Sequence, residues 1–235
     1  MSGIYDQLRE YLLHSITTGQ LAYNAKLPAE RQLSEKFSST RITLREALFR
    51  LESEALIYRL NRKGWFVAPP RFIIDPSCKA DFTCLAEDQG RMPKTLVLQL
   101  KKIKAKLQVR EQLQLGKGSS VFEVIRLRYL DGRPIMMEKI YLDAVAFGGI
   151  QHLDLNRSIT AVQREHFNAD IVKESLLMRI EALGEAQASV LEVPPSMPCL
   201  MIERVRFQDQ EKPLDFNQEF WLHNAFEMHV SAMSH

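Results

Sequence analysis

Pro69 and Pro70 stand side by side in this 235-residue chain and divide it into stretches of different periodicity. Proline offers no backbone N–H and fixes φ, so Ala68-Pro69-Pro70 cannot continue a central strand or a helix. Before this break the apolar residues recur mainly at helical spacing, and after it they mostly alternate as in strands. The pattern predicts a domain over residues 1–70, a linker over 71–80 and a second domain over 81–235, each domain of ordinary size.

In the first domain Ile4, Leu8, Leu12 and Ile16 form a one-sided stripe that fades at Thr17-Thr18-Gly19. A second helix is expected from Ala29 to Phe37, with Leu33 and Phe37 one turn apart. Ser38-Ser39 breaks it, and Thr40 can cap a third helix through its hydroxyl. That helix carries Leu44, Ala47, Leu48 and Leu51. It leads into Ile57 to Leu60, the polar turn Asn61-Arg62-Lys63-Gly64 and Trp65-Phe66-Val67, a short hairpin.

The second domain reads as strands at Thr95 to Lys104, Ser120 to Leu130, Pro134 to Leu142, Asp170 to Ala182, Cys199 to Gln208 and Leu214 to Asn224. Helical patterns lie near Gln108 to Leu115, Ser158 to Phe167 and Glu185 to Leu191. Turn residues at Asp131-Gly132-Arg133 and over Asp209 to Pro213 join strands as antiparallel hairpins. The fold class is therefore α+β, an all-helical head with a hairpin followed by one main antiparallel sheet flanked by helices.

Charge and composition narrow the function. Ten Lys or Arg against seven Asp or Glu give residues 1–70 a charge of +3, while the remainder nets −1 of the chain's +2. A small basic head on a nearly neutral body fits a domain that meets a polyanion. No apolar run approaches the roughly 18 residues of a membrane span, and the N-terminus lacks a basic-then-apolar signal region. Cys78, Cys84 and Cys199 are odd in number and poorly spaced for disulfides or zinc. These features predict a cytoplasmic protein with no membrane, metal or cofactor requirement.

Three helices with a tight turn between the second and third, followed by a basic hairpin, make a winged helix-turn-helix whose third helix enters the major groove by its N-terminal end. Arg41 and Arg45 share one face of that helix start, where a guanidinium can fork onto a guanine edge or grip phosphate. Thr40 can bond phosphate through hydroxyl and backbone N–H. Arg31 near the second helix start, with Arg62, Lys63 and the backbone of Gly64 in the wing, would clamp flanking DNA backbone or minor groove. The bland alternative is that these arginines are ordinary solvated helix charges.

Leu27-Pro28-Ala29-Glu30-Arg31-Gln32-Leu33-Ser34, Thr40-Arg41-Ile42-Thr43-Leu44-Arg45-Glu46-Ala47-Leu48, Leu51-Glu52, Leu56-Ile57 and Gly64-Trp65-Phe66-Val67 resemble the GntR family of bacterial transcription regulators. The resemblance implies that Arg31, Thr40, Arg41, Arg45 and Gly64 stand at DNA-contacting positions. Ile42 departs from a common Thr, exchanging a hydroxyl contact for an apolar one to a thymine methyl, and Ala29 replaces a common capping Ser.

In the second domain, strand alternation puts Arg126 and Arg128 on one face with Phe122 and Val124. With a three-residue loop Asp131-Gly132-Arg133, residue 130 pairs with 134 and Glu138 falls opposite Arg126; a two-residue loop would flip Glu138 to the other face. Ser158 opens a helix, where hydroxyl, free N–H groups and dipole favour an anion. Asp215 follows the second hairpin turn. The set suggests a pocket with an anion pole of Arg126, Arg128 and Ser158 and a cation or hydroxyl pole of Glu138 and Asp215. Equally, Arg126 and Glu138 can form a plain cross-strand ion pair and Ser158 a plain cap.

Val124-Ile125-Arg126-Leu127-Arg128, Asp131-Gly132-Arg133-Pro134-Ile135, Glu138-Lys139-Ile140-Tyr141-Leu142 and Met201-Ile202-Glu203-Arg204-Val205 are similar to the UTRA effector domain of the HutC branch of that family. This resemblance implies a chorismate-lyase-like fold, a homodimer formed through the domain, and a small-molecule effector. It further implies phosphate on the arginine pair and the serine, ligand amine or hydroxyl on the two acids, and Thr83 at a phosphate-contact position. Thr160 departs from a frequent Tyr. Arg62-Lys63-Gly64-Trp65-Phe66-Val67, Pro69-Pro70-Arg71, Asp75-Pro76-Ser77 and Gln89-Gly90-Arg91 resemble regulators of 2-aminoethylphosphonate catabolism, whose anion and amine suit the two poles.

The expected partners are thus double-stranded operator DNA, a small anionic effector and a second copy of the chain. An enzyme is the rival class, since the implied fold is shared with a lyase and His152, His166, His223 and His229 are present. Yet no HExxH, GxSxG or P-loop stands in the sequence, so no catalytic residue is assigned. A ligand-free DNA-binding protein is the third reading.

Overall fold

The computed structural model describes residues 3–75, 81–209 and 211–230. The chain divides into two compact units, one of Met1–Ser77 with Glu192–Pro194 and His223–His235, the other of Cys78–Leu191 with Pro195–Leu222.

The first unit contains helices α1 (Ile4–Thr17), α2 (Glu30–Lys36) and α3 (Arg41–Ser53). Leu8 and Leu12 of α1, Leu33 of α2, Leu44, Leu48 and Leu51 of α3, and Trp65 close over one core, so the apolar stripe read from the sequence is its inward face. Thr40 caps α3, its hydroxyl accepting the Thr43 N–H at 3.2 Å. Ala29 has no side chain with which to cap α2, and Gln32 instead reaches back to accept the Ala29 N–H at 3.0 Å. Strands β1 (Ile57–Leu60) and β2 (Gly64–Val67) pair antiparallel with Leu60 opposite Gly64.

The predicted linker holds a strand, β3 (Phe72–Ile74), up to the limit of the described residues; its positions 76–80 lie outside them. β3 pairs in parallel with the last strand of the chain, Phe226–Met228, which thereby joins the first unit and not the second. Three-residue strands are too short to show alternation, so the sequence gives no periodicity for either.

The second unit is a six-stranded antiparallel sheet. In chain order it holds α4 (Phe82–Asp88), β4 (Pro93–Lys104), α5 (Leu107–Gln112), β5 (Ser120–Leu130), β6 (Arg133–Asp143), α6 (Ile159–Phe167), β7 (Lys173–Ala182), α7 (Glu185–Val190), β8 (Pro198–Phe207) and β9 (Pro213–Leu222), and the final strand of the chain is β10. The strand order is β4-β5-β6-β9-β8-β7. One face packs Phe122, Val124, Ile140 and Leu142 against Ile159 and Val162 of α6. The other packs Val121, Tyr141, Val205 and Phe216 against Val109 of α5.

The hairpin between β5 and β6 corrects the sequence reading in one respect. Its loop has two residues, Asp131 and Gly132, with Leu130 opposite Arg133. Both loop residues have positive φ, 50° and 79°, the geometry that suits a tight turn between right-twisted strands. A register shift between Arg128 and Tyr129 adds one residue on β6, after which Arg126 faces Glu138. The bulge undoes the flip that a two-residue loop would otherwise impose, so the loop length differs from expectation and the cross-strand pair does not.

Gly132 faces open space where a Cβ would stand, so Gly132→Ala meets only the backbone penalty of its positive φ. The expected loss is about 1–2 kcal/mol. A lower urea midpoint with unchanged slope in equilibrium unfolding checks it.

Candidate functional site

In the first unit the start of α3 is open to solvent. Thr40, Arg41 and Arg45 are all exposed, and Arg41 makes no ion pair among the described residues. Ile42, the residue beside it, leaves 74% of its surface in water, an unusual exposure for a large apolar side chain. Arg45 is held by Glu30 of α2, Nε to Oε2 at 2.7 Å, while Trp65 Nε1 donates to the other Glu30 oxygen at 3.1 Å. Burial opposes ionisation of Glu30, but these two donors outweigh it and keep its carboxyl below the usual range. Glu30 therefore fixes Arg45 against the wing strand.

Arg31 is exposed with only a loose 3.9 Å approach to Glu35. In the wing, Arg62 is exposed at φ 61°, and Lys63 Nζ meets Glu192 at 2.6 Å. Gly64 has φ 104°, a bend that calls for glycine, while an added Cβ would meet only the flexible end of Lys26 at 3.4 Å.

In the second unit the sheet face that carries Arg126 and Arg128 also carries a buried ionic network. Arg126 is 1% exposed and Glu138 4%. Arg126 Nε donates to Glu138 Oε1 at 2.6 Å, and its Nη1 donates to the carbonyls of Leu155 and Arg157 at 3.0 and 2.8 Å. Arg128 Nε reaches the same carboxylate at 3.0 Å, and its guanidinium lies 4.7 Å over the Phe82 ring. Burial raises the Glu138 pKa, but Arg126 and Arg128 prevail and hold it down at about 2.

Ser158 sits at the N-terminus of α6, its oxygen 3.4 Å from the Ala161 N–H. Its hydroxyl also hydrogen-bonds the carboxylate of Asp81. Asp81 caps α4, accepting the Thr83 N–H at 2.8 Å. Thr83 itself is exposed in the first turn of α4. Burial works against the charged form of Asp81, yet Ser158, the Thr83 N–H and the charge of Arg128 together lower its pKa. Thr83 and Ser158, two of the residues proposed from sequence as phosphate contacts, thus bond one carboxylate of the chain itself, within the field of Arg128.

Asp215 is fully buried and already bonded. Arg206 Nη2 lies 2.7 Å from one oxygen, Gln163 Nε2 donates to it at 2.6 Å, and Asn217 Nδ2 donates to the other at 2.6 Å. The carboxylate the sequence reading assigned to ligand is here engaged by α6 and β8. Oε1 of the fully buried Gln163 has no hydrogen-bond partner in the structure. Arg206 also donates to Thr160 at 2.8 Å, which places the Thr160 departure inside this cluster.

Further charged groups were not assigned a role from sequence. Glu219 lies directly opposite Glu138 across β6 and β9 and is also buried. It accepts from Arg204 Nε at 2.8 Å and from Trp221 Nε1 at 2.9 Å, and Arg204 reaches on to Glu174 at 2.6 Å. Arg204 and Arg206 repeat on β8 the period-two spacing of Arg126 and Arg128 on β5, the signal that could have found them. Asp81 carried no periodic signal, because α4 is a single short helix.

Comparison with known proteins bears on both units. Residues 4–67 match the model of bacterial regulatory proteins of the gntR family, and residues 88–227 match that of the UTRA domain. The uncharacterized HTH-type transcriptional regulator YihL of Escherichia coli (strain K12) is 29% identical over 233 residues, 96% of this chain and 94% of the relative. The HTH-type transcriptional repressor NagR of Bacillus subtilis (strain 168) is 26% identical over 204 residues, 87% of this chain and 84% of NagR. The crystal structure of PhnF from Mycobacterium smegmatis superposes with a TM-score of 0.69 at 19% identity, covering 99% of this chain and 100% of that one, a likeness of fold. Among the described residues no helix is long and apolar enough to cross a membrane.

The buried pair makes a pH-dependent contribution. Because the folded pKa of Glu138 lies near 2, below its ordinary 4.5, the stability it adds is complete above about pH 5 and is lost as pH falls toward 2. Glu138→Gln leaves Arg126 buried without its counter-ion, at an expected cost of about 3–5 kcal/mol near neutrality. Thermal melts from pH 7 to 2.5 should show a smaller acid-induced drop in the variant than in the parent chain.

Proposed function

The chain belongs to the bacterial GntR-family regulators that carry a UTRA domain, and from that premise we propose that a small anionic metabolite, bound on the charged sheet face of the second unit, sets how tightly the first unit holds operator DNA. The observation that carries this reading is the buried network around Arg126, Arg128 and Glu138. Burying charges costs several kcal/mol per ion and a hydrophobic replacement is often as stable, so such a network is poorly explained by stability alone. It suits a charged sheet face kept for a charged ligand.

Arg128 and Ser158 supply the anion pole and Glu138 the facing carboxylate, with Thr83 at the edge. A metabolite bearing phosphonate or phosphate at one end and an amine or hydroxyl at the other suits this arrangement, and 2-aminoethylphosphonate is the leading candidate, which would place the target genes in a catabolic operon. A phosphosugar is the alternative within the same chemistry. Arg31, Thr40, Arg41, Arg45, Arg62, Lys63 and Gly64 are the DNA-facing set, and the exposed start of α3 supports that assignment. The relatives are regulators and not enzymes, and the reading includes no catalytic step.

A two-fold operator calls for two heads, so the functional form is a homodimer built through the second unit. Met178 and Ile180 share one face of the edge strand β7 and are 40% and 71% exposed, apolar surface that a second copy would cover.

Arg41→Ala should weaken operator binding at least about tenfold and flatten the dependence of log affinity on log salt by about one unit per lost phosphate contact. The effector response should survive. Arg128→Ala should keep operator affinity and lose the shift that 2-aminoethylphosphonate produces. Fluorescence anisotropy with operator DNA, with and without the compound, reads both; a variant pair that loses both properties together would sink the assignment of separate sites.

A further inference from the structure

We propose that Asp81 is a built-in occupant of the effector's anion site, and that an anionic effector binds by displacing its carboxylate from the Ser158 hydroxyl, in the field of Arg128. This rests on the anion-pole reading above and adds to it what fills the pole when no effector is bound.

Three independent features meet at Asp81. Its carboxylate takes the Ser158 hydroxyl, the group at the α6 N-terminus that an incoming anion would need. The next residue, Phe82, lies under the Arg128 guanidinium at 4.7 Å, which brings the start of α4 against the cationic pole. The same carboxylate caps α4 through the Thr83 N–H at 2.8 Å, so one anion joins the starts of α4 and α6.

Charge balance gives the exchange its direction. Within the ionic network, Arg126, Arg128, Arg204 and Arg206 are met by Glu138, Glu174, Asp215 and Glu219. Asp81 is an additional acid beyond that balanced set. An effector anion arriving beside Arg128 and Ser158 while Asp81 stayed would put two anions within a few ångströms in a half-buried site, where like charges repel strongly. Departure of Asp81 to solvent removes that repulsion, frees the Ser158 hydroxyl for the ligand and leaves the Arg128 charge facing it. It also removes the cap of α4, the first element described after residues 76–80, which connect the two units in sequence.

Exchange of this kind is non-covalent, and its signature is competition. Inorganic phosphate is the probe, titrated by calorimetry into the full chain. Asp81→Asn keeps a side chain able to cap α4 and removes the charge, so phosphate should bind at least tenfold tighter while the melting temperature stays near that of the parent. Glu87→Gln, an exposed acid in the same helix, should leave phosphate affinity within twofold and controls for a general field effect. In the parent chain, phosphate should speed amide exchange in the first turn of α4. Equal affinity for Asp81→Asn and parent, or equal tightening by Asp81→Asn and Glu87→Gln, overturns the displacement while leaving the anion pole intact, provided Arg128→Ala weakens binding. Absence of phosphate binding to both parent and Asp81→Asn overturns the anion pole itself and the displacement with it.

Discussion

The second unit is organised around one ion pair, Arg126 with Glu138. It joins β5 to β6, and through the Leu155 and Arg157 carbonyls it also fixes the segment that enters α6. That segment ends at Ser158, so the placement of its hydroxyl depends on the buried Arg126 guanidinium. Glu138 then holds Arg128 in turn, and Arg128 lies on Phe82 at the start of α4. The pair is therefore a hub from which three elements take their positions. Its geometry depends on the β-bulge beyond Arg128, without which the two side chains would leave by opposite faces of the sheet.

The head has a smaller counterpart of the same design. Glu30 accepts from Arg45 and from Trp65 at once, so a residue of α2 sets the angle of a guanidinium on α3 and ties both to the wing. Holding Arg45 this way reduces the side-chain freedom that would be lost on meeting DNA. Arg41 has no such tether and its neighbour Ile42 is bare, which suits groups that find partners only in the groove.

Much of this was legible in the sequence because it rests on local rules. The Leu8, Leu12 stripe, the Thr40 cap and the alternation from Ser120 to Leu130 each follow from one element considered alone. What was not legible depends on contacts between elements. Whether Asp215 is open to a ligand turns on Gln163, Arg206 and Asn217, which come from three different elements. The partnership of Glu219 with Glu138 needs the β6–β9 register, and no hairpin joins those strands to announce it. The pairing of Phe72–Ile74 with Phe226–Met228 brackets the whole of the second unit in sequence and leaves no local trace. The loop between β5 and β6 shows the subtler case, in which two departures from the simplest pattern, a shorter turn and a bulge, cancel at the functional pair.

The energies involved are of a size suited to control. A tenfold change in DNA affinity requires about 1.4 kcal/mol of coupling. Loss of one helix cap costs typically ~1 kcal/mol, close to that figure. No large rearrangement of the sheet is needed to reach that figure. α4 is a seven-residue helix, and its cap is Asp81, the residue proposed to occupy the anion site. An effector that exchanges one carboxylate for its own anion acts where the structure is easiest to shift, and leaves the rest of the charged face as the rigid frame against which that shift is made.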